Sequence, residues 1–384
     1  MNKNIFLVDN MKGGGAEKAI KIIVEELSKN FPQKFQLVLL EEKYDYQLSD
    51  HVNCISLSKT LKWWNFALII LRYVKLLRTK KVSMQFGTNT KSHVVSIAAK
   101  IFTGTKTCIN LQNNIASAYR YRPVLLKTIM LLYKFADCIS FISKGIELEL
   151  NNQLPHKDRF IIPNPIDFDE IDAKKIRNIP KNEKAIFDKP VIITVGSLSE
   201  QKSQHVLLEA FSRLDIDCNL VILGVGPLKN KLEHLADSMN IRHRVFFLGF
   251  KQNPFKYLSR ATLFVLSSSW EGFGNVIVEA MACGLPVIST DCPCGPREIL
   301  APDKCANSYA MTGINREKYG YLVPVNDPLL LRSAMNEMMN REDIRKQYID
   351  RGFNHIVRFN KKAIASDYAM RIFGMPSSNC NGSH

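Results

Sequence analysis

The segment SSSWEGFGNVIVEAMACGLPVIST carries two carboxylates, Glu271 and Glu279, eight positions apart. An apolar run ending near Leu266 predicts a strand, and the Gly-Phe-Gly-Asn turn after it leads into a helix from about Val276. Glu271 would lie in the loop and Glu279 in the first helical turn, where the helix dipole stabilises a carboxylate. Both could then face one cleft and bind hydroxyl groups of a ribose or a sugar. The alternative is a capping acid and an unrelated surface acid.

Two glycine-containing turns also follow predicted strands and precede predicted helices. Gly13, Gly14 and Gly15 would let a ligand approach the backbone where a helix N-terminus offers N–H donors to an anion. Their spacing is not GxGxxG, so the dinucleotide fingerprint is not met. The turn GSLSEQK places Lys202 near the start of its helix, where an ammonium group can bind a diphosphate. The alternatives are a tight turn without a ligand and a solvated lysine.

Short apolar runs alternate with helical periods along the chain, as in parallel sheets that are covered by helices on both faces. The clearest predicted strands are 5–8, 35–40, 191–195, 220–223, 245–248 and 263–266. The pattern starts again at 191–195, after a segment, 162–190, that is rich in Pro, Asn and charge. We interpret that segment as a domain boundary. The sequence therefore predicts an α/β protein with two doubly wound domains and a cleft between them.

Composition is that of an ordinary globular protein, with 46% apolar and 23% charged residues. The nine cysteines are scattered without CxxC or zinc-like spacing and indicate free thiols, so a metal or redox role for Cys292 and Cys294 is disfavoured. The net charge is +16, with 29 Lys+Arg against 18 Asp+Glu up to residue 188 and 23 against 18 beyond it. This N-terminal excess favours anionic partners, such as nucleic acid, acidic lipid or phosphorylated substrates.

The segment KTLKWWNFALIILRYVKLLRTKK, 59–81, mixes aromatic and leucine residues with seven Lys/Arg. Its apolar part, 63–77, is too short and too charged to cross a bilayer, and we expect no membrane span elsewhere. The start, MNKNIFLVDN, shows no secretory signal. The segment is typical of an amphipathic helix. It would either lie on a membrane surface, with Trp63 and Trp64 as interfacial anchors, or cover a sheet and present a basic outer face.

Seven motifs, in order across nearly the whole chain, resemble those of the family four retaining glycosyltransferases, which have the GT-B fold. They are GGGAEK, IPNPID, VGSLSEQK, LGVGPL, EGFGNVIVEA, DCPCGPREIL and YLVPVNDP. The motif DCPCGPREIL further resembles members that build bacterial surface polysaccharides from UDP-sugars. The resemblance implies two Rossmann-like domains that face each other across a cleft.

The resemblance also implies a division of labour along the chain. Residues 1–170 would form the acceptor-binding domain, and residues 171–188 would form the linker. Residues 189–355 would bind the nucleotide sugar. Residues 356–384 would form a C-terminal helix that crosses back to the first domain, followed by a polar tail.

Particular residues acquire roles from the same resemblance. Gly14 and Gly15 would line the cleft over the donor diphosphate or the acceptor. Lys202 would bind the diphosphate, Glu279 would hydrogen-bond the ribose, and Glu271 would contact the transferred sugar.

The turn before the second carboxylate would complete the donor site. The backbone at Phe273, Gly274 and Asn275 would meet sugar or phosphate, with Val276 near the nucleoside. The helix that starts there would point its dipole at the leaving diphosphate and so do electrostatically what a metal does in other transferases. We therefore expect no cofactor and no bound metal.

Two positions depart from the family pattern. Ser197 stands in the donor site where the family usually has arginine, so a phosphate-binding cation would have to come from elsewhere, with Arg297 and Arg244 as candidates. Gln112 stands where the family often has a histidine near the transferred sugar, and a glutamine can hydrogen-bond a hydroxyl but cannot take a proton. His93 is the alternative histidine, although a lone histidine on a helix is more often structural.

The sequence thus predicts a retaining glycosyltransferase with Glu271, Lys202 and Gln112 as catalytic residues. It would move a hexose or N-acetylhexosamine from a UDP-sugar to a polyprenyl-diphosphate-linked glycan, from the cytoplasmic side, bound peripherally to the anionic inner face of the cell membrane. The alternatives are an epimerase-like enzyme that binds a UDP-sugar and a non-enzymatic basic scaffold for membrane or nucleic acid. We expect no nucleic-acid partner, because no helix-turn-helix, zinc or RNP-like signature is present.

Overall fold

The structure is a computed structural model, and its described residues form two compact units. The first unit comprises Met1–Ile166 and Phe359–His384, and the second is Asp167–Arg358. Cys305, Cys380 and the polar tail lie outside the described residues, which are 3–151, 153–154, 158–304 and 312–376.

The first unit is built on a seven-stranded sheet in which every neighbouring pair of strands is parallel. Its strands are β1 (Lys3–Val8), β2 (Phe35–Leu39), β3 (Cys54–Ser56), β4 (Val82–Gly87), β5 (Lys106–Leu111), β6 (Cys138–Phe141) and β7 (Asp158–Ile161). Their order across the sheet is β3-β2-β1-β4-β5-β6-β7. The strands β1 and β2 are buried on both faces, which is why they appear in the sequence as mainly apolar runs.

Helices cover both faces of this sheet. They are α1 (Gly15–Asn30), α2 (Phe66–Thr79), α3 (Thr90–Thr103), α4 (Ile115–Ala118), α5 (Pro123–Tyr133) and α6 (Lys144–Leu150). Alternate residues of β1 supply the two cores: Phe6 packs in the cluster that contains α1, and Ile5 packs in the cluster that contains Tyr73 of α2. The segment 59–81 therefore contains a helix that covers the sheet with one face.

The second unit contains another seven-stranded sheet, parallel except for its last pair. Its strands are β8 (Val191–Val195), β9 (Asn219–Leu223), β10 (Val245–Gly249), β11 (Leu263–Leu266), β12 (Val287–Thr290), β13 (Asn315–Arg316) and β14 (Tyr321–Val323). The strand order β10-β9-β8-β11-β12-β14-β13 changes direction between β8 and β11. Ligands of open α/β sheets bind beyond the carboxyl ends of the strands at such a switch point.

The helices of the second unit include one that overlaps the predicted linker, 171–188. They are α7 (Phe168–Lys175), α8 (Gln204–Ser212), α9 (Lys229–Ser238), α10 (Phe255–Leu258), α11 (Asn275–Ala282), α12 (Pro296–Leu300), α13 (Pro328–Asn340) and α14 (Glu342–Ile356). The side chain of Asp167 caps α7, and Ile171 is its buried residue. Because one buried apolar residue gives no helical period, the sequence pattern does not reveal this helix.

The chain then returns to the first unit. After a 3₁₀ turn, Val357–Phe359, the helix α15 (Lys361–Asp367) packs against α1, and the π-helical turn Tyr368–Ile372 follows. Tyr368 and Ile372 are buried in the same cluster as Phe6. No helix among the described residues is long and apolar enough to cross a membrane.

Candidate active site

Lys202 and Glu271 meet at the switch point of the second sheet. Lys202 ends the 3₁₀ turn Glu200–Lys202 after β8, and Glu271 lies in the loop after β11, which is the parallel neighbour of β8. Lys202 Nζ lies 2.5 Å from Glu271 Oε1, and Ser268 Oγ donates to the same oxygen at 2.6 Å. The structure therefore brings together two residues that the sequence assigns to the donor site.

Backbone and side-chain hydrogen bonds join these two loops. Ser269 N donates to Gln201 O at 2.8 Å, and Gln201 Nε2 donates to Trp270 O at 2.9 Å. Ser267 Oγ donates to Lys202 O at 2.9 Å. Because each loop supplies donors and acceptors to the other, the position of Lys202 relative to Glu271 is fixed by the fold, not by surface side chains.

The loop DCPCG after β12 supports the Glu271 loop from the other side. Glu271 N donates to Pro293 O at 3.1 Å. Gly295 has φ +89°, and a Cβ there would overlap the carbonyl of Phe273. Burial raises the pKa of the Cys292 thiol well above its usual value, and the nearby charge of Glu271 raises it further. Cys292 is thus a neutral buried thiol, in agreement with the sequence interpretation.

The turn before Glu279 differs from the expectation by one residue, and this changes the environment of the carboxylate. Gly274, in the left-handed region at φ 92°, precedes the first residue of α11, Asn275. Glu279 is consequently the fifth residue of the helix, and the first turn contains no acid. The prediction that Glu279 lies in the first turn is wrong, and the dipole effect, which fades beyond that turn, stabilises it less than expected. Glu279 and the first helical residues, Asn275 and Val276, remain partly exposed, whereas Phe273 is buried.

Neither of the arginines considered as a replacement for the family's phosphate-binding cation is available. Arg297 is buried and pairs through its guanidinium with both carboxylate oxygens of Asp291. Arg244 donates to backbone carbonyls, among them those of Phe211 and Leu214. Ser197 is exposed, and its hydroxyl lies 3.1 Å from that of Ser199.

In the first unit, the glycine turn after β1 is filled by a side chain of its own helix. The carboxylate of Glu17 occupies the space where a Cβ of Gly14 would lie, and it accepts a hydrogen bond from Asn89 Nδ2 at 3.1 Å. Burial raises the pKa of Glu17. A side chain at position 14 would have to displace the Glu17 carboxylate, and the neighbouring Gly15 is exposed.

Gln112 belongs to a network of amides at the carboxyl edge of the first sheet. Its Nε2 donates to Asn110 Oδ1, and its Oε1 accepts from Asn164 Nδ2 at 3.2 Å. Asn110 in turn donates to Ser140 Oγ at 3.2 Å. One amide proton and one lone pair of Gln112 are left for a sugar hydroxyl, since an amide offers two of each.

The histidine considered as an alternative to Gln112 is structural. His93 is buried, and burial lowers its pKa to about 3. Its Nε2 lies 3.1 Å from Asn110 O and its Nδ1 lies 2.7 Å from Tyr133 Oη. Because a carbonyl only accepts, Nε2 carries the proton and the Tyr133 hydroxyl donates to Nδ1.

Sequence reasoning missed the residues that hold the site together. Ser268, Asn164 and Asp291 all lie within the quoted motifs. The partner of Asn164 is 52 positions away, whereas Ser268 and Asp291 bond residues three and six positions away in turns whose geometry the sequence does not show. Within the described ranges, no group of three or more His, Cys, Asp or Glu side chains is arranged to hold a metal ion.

The outer face of α2 is exposed, apolar and basic, and exposed tryptophans precede it. Trp63 and Trp64 precede the helix and are 85% and 62% exposed, and Leu68 and Leu71 are exposed on it. Ile101 and Phe102 at the end of α3 and a set of residues around α5 are exposed as well. From residue 51 to residue 136 the sequence contains 14 Lys/Arg and no Asp or Glu. The charge counts up to and beyond residue 188 do not show this local excess.

Two Rossmann-like units, each built on a mainly parallel sheet, are the architecture of glycosyltransferases of the GT-B type. The profile of the family described as glycosyl transferases group 1 matches residues 175–355. An uncharacterised glycosyltransferase of Methanocaldococcus jannaschii is 31% identical over 356 residues, which are 83% of this chain and 86% of that protein. The chain therefore belongs to the group 1 glycosyl transferases and is a glycosyltransferase.

Two further similarities extend over the whole chain. The N-acetylgalactosamine-N,N'-diacetylbacillosaminyl-diphospho-undecaprenol 4-alpha-N-acetylgalactosaminyltransferase of Campylobacter jejuni is 28% identical over 388 residues, covering 97% of this chain and 100% of that protein. The crystal structure of HepE from Anabaena in complex with UDP-glucose matches with a TM-score of 0.78 at 17% identity, covering 97% of this chain and 100% of that one. At that identity, the structural likeness shows the fold.

Proposed function

We propose that this glycosyltransferase is a retaining enzyme that moves a hexose or N-acetylhexosamine from a UDP-sugar to a polyprenyl-diphosphate-linked glycan, in the synthesis of cell-surface polysaccharide or a related glycan. The observation that carries the proposal is the Lys202–Glu271 pair at the switch point of the second sheet. A cation for a diphosphate and a carboxylate for hydroxyl groups lie side by side there. A nucleotide sugar presents these two chemistries in adjacent parts of one molecule.

The choice of UDP-sugar and lipid-linked acceptor rests on similarity and charge. The HepE structure contains UDP-glucose, and the Campylobacter jejuni relative is named for an undecaprenyl-diphosphate-linked acceptor. Curated relatives with about half-chain coverage include lipopolysaccharide core glycosyltransferases of Rhizobium meliloti. Donor and acceptor are both anionic, which agrees with a chain of net charge +16.

The donor would be held by residues of the second unit. Lys202 would bind the diphosphate, Glu279 the ribose and Glu271 the transferred sugar. The backbone of Gly274 and Asn275 would meet phosphate or sugar. The N-terminus of α11 would offer N–H donors to the leaving diphosphate and replace a metal in stabilising its charge, so we propose that no metal or other cofactor is required.

On the acceptor side, Gln112 would hydrogen-bond a sugar hydroxyl without acting as a base. Both polar atoms of its side chain are already oriented, by Asn110 and by Asn164. In a retaining, front-face reaction the leaving phosphate can accept the proton of the acceptor hydroxyl, so no basic side chain is needed at this position. Gly14 and Gly15 would line the same region.

We further propose that the first unit lies on the anionic inner face of the cell membrane, where a lipid-linked acceptor is located. The inner face of α2 packs on the sheet. A role as sheet cover and a role at the membrane surface are therefore compatible, because the outer face of the helix can contact lipid. Trp63 and Trp64 would lie at the level of the lipid headgroups. The lysines of residues 51–136, where the sequence has no Asp or Glu, would attract anionic lipid by about 1 kcal/mol each.

The donor site is tested by comparing UDP with uridine in calorimetric titrations. Lys202→Ala should weaken UDP binding by roughly 10-fold to 100-fold, the equivalent of the ~1.5–3 kcal/mol of a charged hydrogen bond, and leave uridine nearly unchanged. Lys189→Ala is the matched control, because Lys189 precedes the opposite, amino end of β8 and pairs at the surface with Asp217. Equal losses for UDP and uridine would remove Lys202 from the diphosphate site.

A further inference from the structure

The ammonium group of Lys202 forms an ion pair within the chain, with the carboxylate of Glu271. Its stem lies across Gly196, where a Cβ would be only 3.2 Å from Lys202 Cε. Its Nζ meets Glu271 Oε1 at 2.5 Å, and the side chains are only 16% and 7% exposed. Ser268, itself buried, donates to the same oxygen at 2.6 Å and fixes the carboxylate in this position.

This arrangement affects any anion that approaches Lys202. A phosphate group must either share the ammonium with a carboxylate of the same sign or displace that carboxylate. Sharing brings like charges close together, and displacement leaves Glu271 buried without a cation, which costs several kcal/mol in other proteins. Bare anions therefore bind against a local electrostatic penalty.

A nucleotide sugar can offset that penalty, and a nucleotide without its sugar cannot. The hydroxyl groups of the sugar are hydrogen-bond donors, and a buried carboxylate that loses part of its cation needs donors. Ser268 supplies one donor to Oε1, and a sugar hydroxyl would supply another to Glu271. UDP lacks the hydroxyl groups of the transferred sugar, and inorganic phosphate and pyrophosphate carry their only hydroxyl groups on an anion that the Glu271 carboxylate repels.

We propose that Glu271 is a specificity-determining residue that competes with phosphate for Lys202, so that the site prefers the intact sugar donor over bare anions and over the spent nucleotide. The inference rests on the proposed role of Lys202 as the diphosphate ligand. Glu271 then has a second role beside contact with the sugar. Once the sugar has been transferred, its carboxylate weakens the binding of UDP and thereby promotes product release.

The test measures affinities for UDP, inorganic pyrophosphate, UDP-glucose and UDP-N-acetylgalactosamine by calorimetry, with the wild-type protein and Glu271→Gln. The glutamine keeps the size and one acceptor oxygen but removes the charge. UDP and pyrophosphate should bind roughly tenfold tighter to the variant, since one like charge within a few ångströms contributes at least a tenfold effect at an effective dielectric of about 20. The affinity for the UDP-sugar that binds more tightly should increase by a smaller factor. The ratio of donor affinity to UDP affinity should therefore be lower in the variant than in the wild type.

Two further variants complete the design. Glu200→Gln is the matched control for charge, because Glu200 is exposed and lies two residues from Lys202, and it should change these affinities less than about threefold. Ser268→Ala removes the hydroxyl that fixes Glu271 while keeping its charge. Because the Glu271 carboxylate then has one donor fewer and depends more on Lys202, this variant should bind UDP more weakly than the wild type, an effect opposite to and smaller than that of Glu271→Gln, and it serves in its place if Glu271→Gln unfolds.

The outcomes separate this inference from the proposed function. If Lys202→Ala weakens UDP binding but Glu271→Gln does not strengthen it and Ser268→Ala does not weaken it, the competition is refuted and the diphosphate site stands. If Lys202→Ala leaves UDP binding unchanged, the diphosphate site itself is wrong. A uniform gain for UDP and for both UDP-sugars would also overturn the inference, because selectivity would then not depend on Glu271.

Discussion

The buried pair of Asp291 and Arg297 is predicted to stabilise the loop that supports the candidate active site. Arg297 Nε donates to Asp291 Oδ1 at 3.0 Å, and a second guanidinium nitrogen bonds the other carboxylate oxygen. The side chains are 4% and 1% exposed. Asp291→Asn keeps the shape but leaves a buried guanidinium without a counter-charge, which should lower the free energy of unfolding of the second unit by about 3–5 kcal/mol.

Replacing Arg297 instead of Asp291 should lower the free energy of unfolding by less, and it should make stability depend on pH. Burial already raises the pKa of Asp291, and the charge of Arg297 opposes that shift. In Arg297→Met the pKa of Asp291 should rise further, so the folded protein binds a proton that the unfolded chain releases. Stability of this variant should therefore be greatest at low pH and fall as pH rises through the raised pKa. The double variant, Asp291→Asn with Arg297→Met, removes both charges and should lie within about 2 kcal/mol of the wild type.

Tryptophan fluorescence during urea unfolding can isolate the second unit. Of the three tryptophans, Trp63 and Trp64 lie in the first unit and Trp270 lies in the second. In a background of Trp63→Phe and Trp64→Phe, the signal reports on Trp270 alone. A loss below about 1 kcal/mol for Asp291→Asn, or a double variant that loses the sum of both single variants, would refute the reasoning from buried charge.

The remaining predictions concern the first unit. Asp9 accepts a hydrogen bond from Ser92 N at 2.9 Å, and burial raises its pKa to about 6. Because the folded pKa is above the usual value, the contribution of Asp9 to stability is complete below pH of about 4 and is lost as pH rises through about 6. Asp9→Asn should therefore be more stable than wild type at pH of about 8, by at most ~3 kcal/mol, and parallel melting curves across pH would contradict this. A second prediction concerns four exposed lysines of segment 59–81, whose replacement with glutamine should weaken binding to anionic vesicles. The same change at four exposed lysines of the second unit should not weaken it. If both variants bind vesicles equally well, α2 only covers the sheet. The first set is Lys59, Lys62, Lys75 and Lys81, and the control set is Lys184, Lys189, Lys229 and Lys231.

Much of the fold was predictable because the central strands are buried on both faces. The bounds of β8 and β11 equal the predicted ones. β11 is a continuous apolar run between two polar residues, and β8 is a mainly apolar run between a proline and a glycine. The edge strand β10 was predicted as well, but the short strands β3 and β13 were not predictable in this way. β3 and β13 have three and two residues and are not buried, so they leave no apolar run in the sequence.

The candidate site was predictable in its residue types but not in its connections. The resemblance singled out Lys202 and Glu271 individually, but they are 69 positions apart, and only the order of β8 and β11 shows that they form a pair. The start of α11 was misplaced by one residue because the sequence does not show which glycine of the turn adopts the left-handed conformation. The contact of Gln112 with Asn164 joins residues 52 positions apart, and the contact of Arg297 with Asp291 depends on the turn between them, so the sequence alone shows neither.

The central claim is transfer of a sugar from a UDP-sugar to a lipid-linked acceptor, and release of UDP measures it directly. The protein would be incubated with UDP-sugars and a polyprenyl-diphosphate-linked glycan in the presence of EDTA. We predict that UDP appears only when donor and acceptor are both present, and that Lys202→Ala reduces its rate of release strongly. UDP release that does not depend on the acceptor, or conversion of the UDP-sugar into an epimer without release of UDP, would contradict the account.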